Sequence, residues 1–430
     1  MTVQAIASIV VFVITYIFIA TEKIPRVAAA LGGAAAMVVI GAATAESAFF
    51  SPETGVDWDV IFLLLGMMVI VGVLRQTGLF EYLAIWSAKR AKARPFRMMV
   101  VLVVITAVAS ALLDNVTTVL LVAPVTLLVC ERLGVDPVPY LLAEAMASNI
   151  GGAATLIGDP PNIIIASRAD LSFNDFVINL APIVVVLMVI FVGLCWLLWG
   201  RFMTYDPERA ARVLSLEEND VISDPKLLRR TLAVLALTLV GFVLHSALNV
   251  EPAIVALLGA GLAVTLSGVS SSKYLADVEW ETLVFFGALF IMVGALVHVG
   301  VIGQLGEVAT AAVGEDYLPA AIGLVVGSAV ISGIVDNIPY VTTMAPLVKD
   351  LVSASGDAPQ AKALWWALAL GADLGGNATA VGASANVVIT GIAARNGHPI
   401  SFWTFTRYGI VVTAVTILAS LPYVVLRYYV

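Results

Sequence analysis

The stretch "LLDNVTTVLLVAP", residues 112–124, sets Asp114 and Asn115 side by side between two apolar runs, each long enough for a helix. A second copy, "DNIPYVTTMAP", begins 222 positions later at Asp336. A charged residue at the centre of a bilayer costs at least ~2.5–3.5 kcal/mol on insertion scales. A doubled Asp-Asn pair in apolar sequence therefore reads as a pair of purposeful interruptions.

The surrounding composition supports a bilayer setting. Of the 430 residues, 61% are hydrophobic and 12% charged, against about 25% charged in soluble domains. Many segments reach the roughly 20 apolar residues that span a membrane as a helix. The leading "MTVQ" carries no positive charge, so residues 3–20 read as a retained first span. The net charge of −8 comes with no basic stripe, and no nucleic-acid partner is expected. The two cysteines, Cys130 and Cys195, each stand alone in apolar sequence, read as small core residues, and cannot build a tetrahedral metal site.

The chain repeats itself. "WDVIFLLLGMMVIVGVLRQTG" from Trp58 matches "WETLVFFGALFIMVGALVHVG" from Trp280, and "NIGGAATLIGDPPNIII" from Asn149 matches "DLGGNATAVGASANVVI" from Asp373. We read residues 1–200 and 231–430 as two repeats joined by the polar linker 201–230. The expected spans of the first repeat are 3–20, 27–42, 58–75, the bent pair 97–113 and 116–130, the interrupted span 139–166, and 178–199. The second repeat answers with 231–248, 252–268, 280–297, the pair 317–334 and 338–349, the interrupted span 361–390, and 403–425.

Basic residues of short loops mark the cytoplasmic side. Lys23 and Arg26, the cluster from Arg75 to Arg97, and the linker bases from Arg201 to Arg230 form that set. The acidic loop 43–57, with Glu46, Glu53 and Asp57, falls outside. The assignment closes only if 97–130 enters and leaves on one side, as a re-entrant hairpin with Asp114-Asn115 at its tip. Each repeat then has five crossings plus one hairpin, the second repeat is inverted, and both termini lie outside. The fold class is thus an all-α polytopic membrane protein in the plasma (inner) membrane, with interrupted helices at the midplane. Inverted repeats with interrupted helices are the architecture of secondary transporters.

Backbone inside a bilayer tolerates a break only where it is buried in protein or lines a cavity. Gly151, Gly152, Gly158, Pro160 and Pro161 open the first interrupted span. Gly375, Gly376 and Gly382 serve the second, where Ala383-Ser384-Ala385 replaces Asp159-Pro160-Pro161. The second break should be less kinked. The candidate substrate and ion site gathers Asp114, Asn115, Thr117, Thr118, Asn149, Thr155, Asp159 and Asn162 from the first repeat. Asp336, Asn337, Asp373, Asn377, Thr379 and Asn386 come from the second, with Thr342 and Thr343 nearby. Structural duties compete at each position: helix capping for the aspartates, interhelical hydrogen bonds for the asparagines, and bonds one turn back for the threonines. Glu144 is either a proton relay or a water-facing end residue, and His245, His298 and His398 fall at membrane edges.

Several chemistries are excluded. The Gly-x-Gly-Asp signature of intramembrane aspartyl proteases fails, because Gly158-Asp159 follows Leu156-Ile157. No phosphate loop and no His-Glu-x-x-His zinc motif occurs. The chain has no catalytic residues, is expected not to be an enzyme, and needs no cofactor beyond a coupling proton or sodium ion.

The quoted motifs resemble the ion transporter superfamily, in the branch that groups arsenite permeases of the ArsB type, sodium/proton antiporters of the NhaD type and the P protein. The similarity covers almost the whole chain outside 201–230. It implies hairpin tips and breaks that form the substrate site, an elevator-like movement, and homodimers. A separate cytoplasmic ATPase, known for some arsenite pumps, is a further partner it allows. In dicarboxylate relatives the tip resembles Ser-Asn-Thr, and Asp114 and Asp336 stand where Ser would be. Two extra carboxylates, with no Lys or Arg inside the motif cluster, disfavour a dicarboxylate. The expected function is proton-coupled efflux of arsenite or antimonite, a small inorganic solute. The alternatives are sodium/proton antiport and anion transport of the P-protein type.

Overall fold

The computed structural model describes residues 2–21, 23–203, 205–214, 222–268, 270–314, 316–356 and 358–430. In the first half, α1 (Val3–Thr21) and α2 (Arg26–Val39) are followed by the short α3 (Ala45–Phe49), the long α4 (Trp58–Arg75) and α5 (Leu79–Arg90). A hairpin of α6 (Pro95–Leu112) and α7 (Asn115–Leu133) comes next, then the broken pair α8 (Val138–Gly152) and α9 (Pro160–Ala169), then α10 (Phe173–Leu198) and α11 (Pro207–Leu214). The second half repeats the order. It runs α12 (Pro225–Leu248), α13 (Pro252–Ser267), α14 (Ser271–Ala276), α15 (Trp280–His298) and α16 (Val301–Val313). The second hairpin is α17 (Tyr317–Ser332) and α18 (Asn337–Ala354), the second broken pair α19 (Pro359–Gly375) and α20 (Ser384–Arg395), and the last helix α21 (Phe402–Tyr428).

Among the described residues, eight helices are long and apolar enough to cross a membrane, both legs of the first hairpin included. Their sequences explain them. Each carries a continuous apolar run, and polar N-caps start five of them. Ser172 and Asp175 form a capping box that starts α10. Asp224 caps α12 through the N–H groups of Lys226 and Leu227, which hold its carboxyl below the usual carboxylate range. That cap starts α12 six residues earlier than hydropathy suggested, inside the expected linker. Of that linker, residues 204 and 215–221 lie outside the described residues.

The two halves form an inverted repeat, and they interlock. Helix α2 packs on α15 of the other half, and α13 packs on α4. Each hairpin packs against its own broken pair, α6 on α8 and α17 on α19. The approach is close enough to require glycine. A Cβ at Gly151 would lie 2.3 Å from the Ala107 carbonyl oxygen, and one at Gly375 would lie 2.6 Å from Ala329 Cα. The fifteen residues of α8 reach about 22 Å at 1.5 Å per residue, so the break lies well inside the layer. The Thr155 hydroxyl binds the Ala111 carbonyl at 2.6 Å, which seats the first hairpin tip at that depth. The second half repeats the bond from Thr379 to Gly333 at 2.7 Å.

The first interrupted helix opens over 153–159, while the second carries on as a 3-10 turn over Gly376–Ala378 and opens over 379–383. The break without prolines is the shorter one. Two asparagines support both breaks. Asn386 Nδ2 donates to the carbonyls of Gly376 and Thr379 at 2.7 and 2.9 Å. Asn162 does the same for Gly152 and Thr155 at 3.4 and 3.1 Å. Each carboxamide satisfies carbonyls that the break strands, with or without proline nearby. Asn386→Ala should cost about 1–3 kcal/mol for each carbonyl left unpaired. Thermal unfolding in detergent should show it as a clear drop in Tm, with a smaller drop for Thr390→Ala, whose hydroxyl only bonds back within α20.

Candidate substrate site

The site lies where the two tips meet the two breaks. Asp114 caps α7 by accepting the Thr117 N–H at 2.7 Å, and Asp336 caps α18 by accepting the Ile338 N–H at 3.1 Å. Both tip aspartates therefore serve as helix caps, and Asp336 keeps its second oxygen for Arg26 and Ser384. Asp159 precedes α9 but makes no capping bond. Its carboxylate instead accepts from Asn115 at 2.9 Å and from Asn337 at 3.4 and 3.5 Å. One carboxylate thus receives the tip asparagine of each half.

Asn149 links the halves a second way. It accepts from Asn115 at 3.1 Å and donates to Asn377 at 3.0 Å and Asn386 at 3.1 Å. All five asparagines of this network and Asp159 are buried. The hydroxyl of Thr118 and both oxygens of Asp373 are buried with no partner among the described residues, as are Asn115 Oδ1, Asn162 Oδ1 and Asn377 Nδ2. Buried polar atoms are rarely left so in stable cores.

The repeat makes sense of Asp373. Position 149 in the first half corresponds to 373 in the second, and 162 to 386. Asn149 donates to Asn386 Oδ1. The mirror pair is Asp373 and Asn162, and both Asp373 oxygens and Asn162 Oδ1 are without a partner among the described residues. A carboxylate has no proton to offer Asn162 Oδ1, and a carboxylic acid does.

Three residues that the structure brings to the candidate site escaped the sequence reading. Arg26, at the start of α2, contacts Asp336 Oδ2 at 3.2 Å and Ser384 Oγ at 2.7 Å. This overturns the expectation that no Lys or Arg enters the cluster. Its nearby lysine and the loop setting had marked it as a topology signal only. Ser384 donates to Asp336 at 2.8 Å. Glu279, before α15, accepts from Thr117 at 3.5 Å and Thr282 at 3.1 Å. Its repeat partner Asp57, bonded to Ser167, was the available hint.

Other candidates are placed elsewhere. Thr342 and Thr343 bond one turn back, to Ile338 and Pro339. Glu144 is fully buried, with one oxygen on the Thr126 hydroxyl and the other unpartnered, so it is no water-facing end residue. His245 lines a cavity of about 660 Å³ that also exposes Asp59, Asp170, Asp175 and Glu251 and reaches Leu156 of the first break. Cys130 and Cys195 are buried and free.

Residues 16–371 match the model of the citrate transporter (CitMHS) family. The chain belongs to that family. Its members include transporters of the ion transporter superfamily, and the chain is a multi-pass membrane transporter, with no enzymatic assignment. An uncharacterized transporter of Mycobacterium tuberculosis is 55% identical over 427 residues, covering 99% of each chain. The 46 kDa membrane protein of Mycobacterium leprae is 53% identical over 427 residues, covering 99% of this chain and all of its own. The human P protein is 34% identical over 494 residues, covering 96% of this chain and 59% of the P protein. Among solved structures, the YdaH transporter of Alcanivorax borkumensis matches with a TM-score of 0.58 over 84% of each chain, at 16% identity. That likeness concerns the fold, and the YdaH transporter has an unusual topology.

Proposed function

We propose that this family member is a proton-coupled secondary transporter that exports a small polar solute of the arsenite or antimonite kind across the plasma membrane. The observation that supports the proton is the set of buried, unpartnered oxygens on Asp373 and Asn162, where a protonated carboxyl would supply a donor. The cargo argument rests on the donor set. Arsenite near neutral pH is mostly an uncharged trihydroxide, and the buried carboxamides and hydroxyls can hydrogen-bond such a molecule. Citrate, the solute in the family's name, would bring up to three negative charges beside Asp114, Asp159, Asp336, Asp373 and Glu279. Arg26 alone among the described basic side chains is bonded to this cluster.

The test is flux in proteoliposomes under an imposed proton gradient. Asp114→Asn and Asp336→Asn keep their capping oxygen and should fold. Arsenite movement should fall to the level of empty liposomes in both. Undiminished movement would sink the reading.

One observation favours sodium as the coupling ion in a second reading. Four buried oxygens without a partner among the described residues, on Asp373, Asn162 and Asn115, are of the donor type hard cations take. Sodium/proton antiport predicts collapse of a pH gradient on sodium addition, with no arsenite present.

A further inference from the structure

Arg26 meets the second hairpin tip through Nη1 alone. That nitrogen reaches both Asp336 Oδ2 and Ser384 Oγ. Among the described residues its Nε and Nη2 have no hydrogen-bond partner, and a quarter of the side chain is exposed. The Phe285 ring lies 5.6 Å from the guanidinium and leaves its polar edge free. A planar guanidinium with spare donors next to a hydroxyl is an arrangement suited to an oxyanion. The oxygen now seated there belongs to the chain itself.

We infer that Arg26 and Ser384 form a small-oxyanion site at the second tip, and that the Asp336 carboxylate fills it as a tethered competitor. Neutralising Asp336, by a proton or a bound cation, breaks the ion pair and leaves the Arg26 charge for an anion oxygen. One proton on Asp336 then admits one negative charge on Arg26, and the net charge of the site is unchanged. The first tip cannot do this. Its neighbour is Glu279, and α13, the helix that answers to α2, begins with Pro252-Ala253. The inference rests on reading the tips as the transport site, and it extends the cargo from the neutral solute to small oxyanions.

The groups around Asp336 come from five elements. They are Arg26 of α2, Ser384 of α20, Asp159 of the first break through Asn337, Tyr16 of α1 on Pro339 and Thr343, and, on the far side of Arg26, Glu279 ahead of α15. Of these only Arg26 is cationic.

Sulfate is a suitable probe, because its charge is constant between pH 5.5 and 8. The purified full chain is titrated with sulfate at fixed ionic strength, against chloride, and binding is read from Tm. At pH 8, Asp336→Asn should bind sulfate at least about tenfold tighter than the wild type, since a charge-assisted competitor is gone. Arg26→Gln should show no stabilisation beyond chloride. The wild type should gain affinity at pH 5.5, and Arg26→Gln should not. Equal binding by Asp336→Asn and wild type overturns the inference, as does wild-type binding by Arg26→Gln. If Asp336→Asn yields no folded protein, the wild-type pH comparison decides, and its absence of gain overturns the inference. Binding in detergent is independent of arsenite flux, so a failure here is distinct from a failure of the transport reading.

Discussion

Asp373→Asn is expected to fold at least as stably as the wild type and to lose gradient-driven transport. The side chain is buried, with both oxygens unpartnered. An amide supplies the missing donor to Asn162 and removes the desolvation cost of a carboxylate. The repeat already accepts this chemistry, because Asn149 makes the mirror contact with Asn386 at 3.1 Å. Asparagine cannot take up and release a proton. Thermal unfolding should therefore show an unchanged or higher Tm, while proteoliposomes show flux no greater than empty vesicles. A variant that transports normally would remove Asp373 from the coupling step. A variant that unfolds would mean the carboxyl is held by interactions absent from the hydrogen bonds described.

Gly151→Val is expected to leave no folded protein in the membrane. Its Cβ would lie 2.3 Å from the Ala107 carbonyl oxygen and 2.5 Å from Ala107 Cα. Both are backbone atoms of α6, so no side chain can swing away. Overpacking of a core costs about 1–3 kcal/mol when neighbours can adjust, and here the whole hairpin must retreat. That retreat would also pull Asn115 off Asp159 and Asn149. Gly193→Val is the control, since a Cβ there meets nothing within 4 Å. Fluorescence-detected size-exclusion should show a monodisperse peak for Gly193→Val and aggregate or no protein for Gly151→Val. Equal behaviour of the two would refute the close-approach account.

Much of this architecture is written locally. Apolar runs of helical length, the 222-residue echo of Asp-Asn and the paired glycines are short-range features. They locate the spans, tips and breaks, because a bilayer demands that each segment satisfy its own backbone. The prolines at 160 and 161 mark the longer of the two breaks, and Asn162 and Asn386 satisfy stranded carbonyls at both. A carboxamide that reaches a carbonyl ten residues away leaves little trace in hydropathy.

The candidate residues were legible for the same reason, since polar groups stand out against apolar sequence. Their pairing was not. That Asp159 receives Asn115 from one tip and Asn337 from the other depends on how the halves interlock. So does the role of Arg26, which lies 310 residues from Asp336 in the chain. Sequence alone thus determined a duplicated, inverted helical transporter with polar tips and breaks. Only the tertiary structure decided which charge faces which. Helix α2 packs on α15 of the opposite half, and this cross-packing brings a guanidinium to one tip and a second carboxylate to the other.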